Sequence, residues 1–281
     1  MAIICGIYGF NITQKIEFNG IKITLRTNNA LEARTWARDV KTYHLTATLE
    51  ASAVSDEFLF NVEAVLSFIE HLDVLITPPK KLNLDIRSAK LPKTIIAHKR
   101  NSGGGATIGE DEFFPNSRVE FIKKTIDLLE NVDFCNNTQF KSIFFKKVTT
   151  FRQIKPYIEV SYFLLYSGLE SYARAVTKDK DNKNSSEPIF KLLNNYGFNL
   201  AIEKPDSLAR AVSTYTHLRN ALFHNSALSK VINLNGKNTE LKLIDFFYNI
   251  EQLVTLTIMK AVNFDDNHIN WDSWIDRQPF K

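Results

Sequence analysis

Cysteine is nearly missing from this 281-residue chain, which holds only Cys5 and Cys135. Two thiols supply neither a zinc quartet nor a disulfide framework, and so thin a usage suits a reducing compartment. Glycine and proline are sparse as well, ten and eight, which disfavours a turn-dense all-β sandwich and leaves room for long helices. No apolar run approaches the roughly 18 residues of a membrane span. The opening MAIICGIYGF is apolar but short, and it lacks the positively charged start of a secretory signal. A cytoplasmic protein with no membrane partner is expected. Internal repeats are absent, and so is any heptad run long enough for a coiled coil.

An excess of one charge is also lacking: 35 basic residues face 31 acidic ones, for a net charge of +4. That suits a nucleic-acid partner without requiring one. What is present is 44% hydrophobic and 12% aromatic residues, enough to exclude wholesale disorder. The length fits one or two domains and can bury a core without covalent staples.

The first third has β character at 2–10, 21–27 and 43–50, with alternation in IKITL and HLTATL, and Asn19-Gly20 reads as a hairpin turn between the first two of these. SDEFLFNVEAVLSFIEHL (55–72) reads as a helix capped by Ser55 or Asp56. Strand-like pieces return at 73–77, 82–87 and 93–98, and NSGGGATIGEDEFFPNS (101–117) reads as loop. From about 118 the periodicity is helical: 118–130, 157–177, 185–197 with Gly197 as its stop, 206–224 and 239–262. The fold class expected is α+β, with a mixed N-terminal domain (1–135) followed by an all-helical bundle (136–281). The helix at 157–177 is apolar almost all round except for Ser167, Glu170, Ser171 and Arg174, the pattern of a central bundle helix.

The most informative helix is 206–224. At 100° per residue, Ala211, Val212, Tyr215, Leu218 and Leu222 share an arc of about 120°, and Arg219 falls inside it. A guanidinium on a core-facing stripe cannot lose its proton and needs a partner or a task. His217, Asn220 and His224 lie on the opposite side, with Asn220 and His224 at i,i+4.

The segment LRNALFHN (218–225) resembles the Arg-x4–6-His motif of HEPN domains, helical bundles that are often ribonucleases and commonly carry a polar residue after the arginine. Here those positions are Arg219, Asn220 and His224. The GLESYAR helix before the motif and the amphipathic helix after it fit the likeness, which covers about 150–265 and is similar in layout to the Apea-like branch. Two other pairs have allowed spacing: Arg38…His44, whose histidine begins a strand, and Arg210…His217, where Ala211 replaces the polar residue.

The resemblance implies a homodimeric endoribonuclease in toxin-type or antiphage defence, with RNA as substrate and an antitoxin or phage-derived trigger as further partners. It also implies two motifs facing each other across the dimer. RNA carries its own nucleophile, the 2′-OH, so cleavage needs a base and a charge stabiliser rather than a metal. An imidazole with an unperturbed pKa of about 6.5 suits proton transfer. A fixed guanidinium counters the charge of the phosphorane. Asn220 is placed to orient His224 or the phosphate, and Glu170 either to hold Arg219 or His224 or to form a plain i,i+4 pair with Arg174. No cofactor and no metal ligand set is expected. The alternatives that stay open are a non-catalytic RNA-binding or dimerisation module, and a nucleotide-sensing regulator built on the N-terminal domain.

Two segments are candidates for nucleic-acid contact. Residues 80–100 carry Lys80, Lys81, Arg87, Lys90, Lys93, Lys99 and Arg100 against the single acid Asp85. Residues 140–155 carry Lys146 and Lys147 among Phe140, Phe144, Phe145 and Phe151, a pattern that serves either base stacking or an ordinary amphipathic helix. The glycine tract 101–109 matches neither a Walker loop nor a dinucleotide fingerprint and reads as a mobile surface loop, a sensor or lid at most. His44, His71, His98 and His268 read as ordinary residues. Trp271 and Trp274 read as anchors for the C-terminal tail.

Overall fold

The computed structural model describes residues 2–39, 41–81, 91–96, 105–153, 155–179 and 183–281. The chain divides into two compact units, Met1–Glu130 with Phe151–Lys155, and Asn131–Thr150 with Pro156–Lys281.

The first unit contains β1 (Ile3–Tyr8), β2 (Ile16–Phe18), β3 (Ile21–Leu25), α1 (Ala30–Arg38), β4 (Thr42–Ala51), α2 (Asp56–Glu70), β5 (Leu75–Ile76), β6 (Lys80–Lys81), β7 (Thr94–Ile96) and α3 (Ser117–Glu130). Its antiparallel sheet runs β2-β3-β4-β1-β5, with β6 paired to β1 and β7 to β4. The Asn19-Gly20 turn joins β3 to the short β2 and not to the 2–10 strand, because β1 pairs with β4 instead; both turn residues are at positive φ, 46° and 75°. Such a turn has the twist of the strands it links, and asparagine and glycine tolerate it best. Ser55 caps α2, its hydroxyl accepting the Phe58 N–H. Helix α1 is absent from the sequence reading. Its signal is Asn29, which accepts the Glu32 N–H and so caps the first turn.

Below the sheet, Phe68 of α2 stacks on Phe121 of α3 at 5.4 Å. Arg118 and Glu70 form a buried ion pair at 2.6 Å, and the same guanidinium donates to the Gly109 carbonyl. Thr107 N–H donates to the Ile69 carbonyl, and Ile108 is buried. The described part of the glycine tract is therefore fastened to α2 and α3 rather than free as a lid; residues 101–104 lie outside the described residues.

The second unit contains α4 (Val132–Thr138), α5 (Phe140–Arg152, whose last two residues belong to the first unit), α6 (Ile158–Thr177), α7 (Ser186–Asn195), α8 (Val212–Asn225), β8 (Ser229–Leu234), β9 (Lys237–Lys242), α9 (Leu243–Ala261) and α10 (Ser273–Asp276). It is helical except for the β8–β9 hairpin, whose turn is Asn235-Gly236 with φ of 51° and 83°. Two expected helices are thereby shortened. The 239–262 helix starts only at Leu243, because Lys237–Lys242 pairs as a strand, and the 206–224 helix starts at Val212, after a 3-10 turn at Leu208–Arg210. Gly168 lets α5 and α6 approach closely: a β-carbon there would stand 3.2 Å from Ile143 Cα. The tail is anchored at Trp274, fully buried, whose carbonyl accepts a 2.6 Å bond from Asn249. Among the described residues no helix is long and apolar enough to cross a membrane.

Candidate functional site

Helix α8 turns Val212, Tyr215, Leu218 and Ala221 into the bundle core. Tyr215 fixes the helix start, its hydroxyl donating 2.6 Å to the Ala209 carbonyl. The helix ends at Ser226, in the left-handed region with φ of 51° and its N–H on the Leu222 carbonyl. His224 thus sits in the last turn, exposed, and Arg219 sits at the edge of the buried arc with 30% of its side chain accessible.

The Arg219 guanidinium is held from several sides. It donates 2.8 Å to Asn220 Oδ1 and lies 3.6 Å from Glu170 Oε2 on α6. It also stands over two rings, 5.7 Å from the centroid of Tyr166 and 5.2 Å from that of Phe223. Both contacts are cation–π geometry, and Phe223 is the residue before His224 in the chain. Asn220 is therefore engaged with Arg219, not His224. Glu170 does both things expected of it, since Arg174 donates to its Oε1 at 3.0 and 2.9 Å while Oε2 faces Arg219.

Beneath Arg219 lies a hydroxyl network that sequence reasoning missed. Tyr166 O–H is within 2.7 Å of Ser185 Oγ and 2.9 Å of Thr216 Oγ1, and Thr216 is 2.8 Å from Ser186. Burial pushes the Tyr166 phenol upward, so the hydroxyl stays neutral within this network. The detectable signal was Tyr166 itself, one turn before Glu170 on the same helix face.

The surroundings of the motif are apolar and open. Phe163 and Phe223 meet at 4.7 Å yet remain 39% and 44% exposed, and Val160 is 46% exposed one turn earlier. His217 is partly buried against Glu203 and Ser213 in a small separate pocket, where burial pushes its imidazole below the ordinary value.

The basic candidates scatter. Lys80 and Lys81 are exposed on β6, and Lys93 is exposed just before β7. Arg87, Lys99 and Arg100 lie outside the described residues, as do Lys90 and His98. Lys146 is half-buried along α5. Lys147 must be withdrawn as a nucleic-acid contact: its side chain is fully buried and its ammonium lies 3.0 Å from Glu251 Oε1 on α9. Phe140, Phe144 and Phe151 are likewise buried, so on the described face of α5 the aromatics serve the core. Among the described residues no group of three or more His, Cys, Asp or Glu side chains is arranged to hold a metal ion.

No protein-family model, curated protein or solved structure matches the chain.

Proposed function

We propose that the second unit is a ribonuclease module of HEPN type that cleaves RNA by attack of the 2′-OH, acting as a cytoplasmic homodimer. The observation that carries this reading is the seating of Arg219. Its guanidinium is held by Asn220 and Glu170, is partly exposed, and stands over the ring of Phe223, the residue before His224. A preoriented guanidinium suits the charge that develops on the non-bridging oxygens of a phosphorane. An exposed imidazole on the next turn suits proton transfer to or from the 2′- and 5′-oxygens.

One histidine does not readily serve as base and acid together. A second copy placed against the Val160, Phe163 and Phe223 surface would bring another Arg219–His224 pair and cover apolar area that a monomer leaves wet. The biological setting that the resemblance carries is toxin-type or antiphage defence, with an antitoxin or phage-derived trigger as partner. A non-catalytic RNA-binding or dimerisation module is favoured by one observation: Arg219 already has protein partners and needs no phosphate to be satisfied.

The test is incubation of the full chain with total RNA, with and without EDTA, followed by analysis of the fragment ends. Transesterification leaves a 2′,3′-cyclic phosphate and a 5′-hydroxyl, persists in EDTA and spares RNA with 2′-O-methyl at the scissile nucleotide. Fragments with 5′-phosphates, or activity that returns only with magnesium, overturn the mechanism. Binding without any cleavage by the dimer selects the non-catalytic module.

A further inference from the structure

In the first unit, away from the motif, a cleft of about 400 Å³ is lined by Arg26, Trp36, His44, Leu45, Lys93 and Thr94. The fold assembles it from four separate places in the chain. Arg26 follows β3, and its N–H on the Thr46 carbonyl continues the ladder between β3 and β4. His44 and Leu45 lie on β4, Trp36 comes from α1, and Lys93 leads into β7, where its carbonyl accepts the Leu45 N–H.

The chemistry of the lining is selective. Trp36 and His44 are stacked on each other, with centroids 5.8 Å apart and planes within 10°, and this pair forms the aromatic wall of the cleft. Leu45 adds an apolar surface, Thr94 a hydroxyl, and Arg26 and Lys93 two cations. No carboxylate is among the described lining residues. The nearest, Asp39, is engaged by the backbone N–H groups of Lys41 and Thr42 and by His44 Nε2 at 3.2 Å. An aromatic wall beside two cations is what a planar base joined to a phosphate requires. The volume falls in the range of small-molecule sites.

We propose that this cleft binds a free nucleotide, its base against the Trp36–His44 wall and its phosphate between Arg26 and Lys93. A nucleotide is favoured over an RNA strand because the other cations of α1 are already neutralised: Arg34 is paired with Glu110 and Glu112, and Arg38 with Glu110. The site is independent of the Arg219–His224 reading, and either can fail without the other.

The experiment titrates the full-length protein with the four ribonucleoside monophosphates, the four triphosphates, adenosine, inorganic phosphate and a short oligoribonucleotide. Calorimetry and tryptophan fluorescence are the readouts. At least one nucleotide binds and quenches fluorescence, while adenosine and phosphate bind at least tenfold more weakly. Trp36→Phe, which keeps a smaller aromatic ring, binds more weakly by calorimetry and loses the quench, which assigns the quench to Trp36 rather than Trp271 or Trp274. The double variant R26A/K93A weakens binding at least tenfold, with an unchanged melting profile as its folding control. Binding by no nucleotide at millimolar concentration overturns the proposal. So does unchanged affinity in R26A/K93A, or an oligoribonucleotide that outcompetes every free nucleotide in the cleft.

Discussion

The Arg219 guanidinium lies 3.6 Å from Glu170 Oε2 while the other oxygen of the same carboxylate is taken by Arg174. One acid on α6 thus sets the position of a cation on α8. Arg174 restrains the rotation of that acid, so the orientation of Arg219 depends on residues that RNA need not touch. On the proposed mechanism, Arg219→Ala lowers cleavage about a hundredfold or more. Glu170→Gln keeps the shape but weakens the hold, and lowers kcat by about tenfold with little change in KM. Rates under single-turnover conditions, beside circular dichroism melts, check both. A Glu170→Gln protein as active as the parent would remove Glu170 from the site.

The two histidines of α8 separate in a direct comparison. His224→Ala loses cleavage by about two orders of magnitude or more, and His217→Ala keeps most of it, since His217 faces the pocket of Glu203 and Ser213. Equal cleavage by the parent and His224→Ala would mean that the motif is structural.

On the proposed mechanism His217 acts on stability and not on the chemistry. Burial holds its imidazole below the ordinary 6.5 in the folded chain, so its neutral form is favoured by folding. The stability it contributes is present above pH 6.5 and lost as the pH falls through the lowered folded value. His217→Gln is expected to flatten the fall in melting temperature below that pH. A melting profile as steep as the parent's would show that other groups cause the acid loss.

Quaternary state is the third test of the catalytic reading. Light scattering at micromolar concentration should report a dimer, and Phe223→Asp, which places a charge on the exposed apolar surface, should shift it to monomer and abolish cleavage. A strictly monomeric parent that still cleaves would exclude a site composed from two chains.

Lys147 and Glu251 supply a prediction for the core. Breaking the pair with Glu251→Ala removes the carboxylate beside a buried ammonium and costs on the order of 3 kcal/mol by chemical denaturation. The double replacement K147M/E251L is closer to neutral, because the cost of burying charge leaves with the charge. Burial holds Lys147 below its ordinary 10.5, so the stability of the Glu251→Ala protein should rise as pH is raised toward that value. A pH-independent deficit would mean that the loss is packing alone.

The β-rich start, the α2 helix with a cap at Ser55 or Asp56, the Asn19-Gly20 turn and the helices α3, α6 and α7 were legible in the sequence, whereas β2, the strand that enters that turn, was not. Each depends on local chemistry: alternation, 3.6-residue periodicity, or a turn dipeptide that few other residues can replace. The β8–β9 hairpin carried the same dipeptide, at Asn235-Gly236. It was obscured because β9 alternates weakly between exposed polar residues, and its six residues run straight into an amphipathic helix. Arg219, Asn220 and His224 could be picked out by spacing, and so could the need of Arg219 for a partner.

Tertiary structure alone decided who that partner is. Glu170 and Tyr166 lie about fifty residues away, and nothing in the local pattern ranks Arg219 over Arg174 as the ion they hold. It also decided the fate of Lys147, whose lysine-phenylalanine neighbourhood reads equally as a nucleic-acid face or a helix side until α9 brings Glu251 against it. The cleft of Arg26, Trp36, His44 and Lys93 belongs to the same class. Periodicity is a property of neighbours along the chain, whereas ion pairs, stacked rings and cavities are made by residues that only packing brings together.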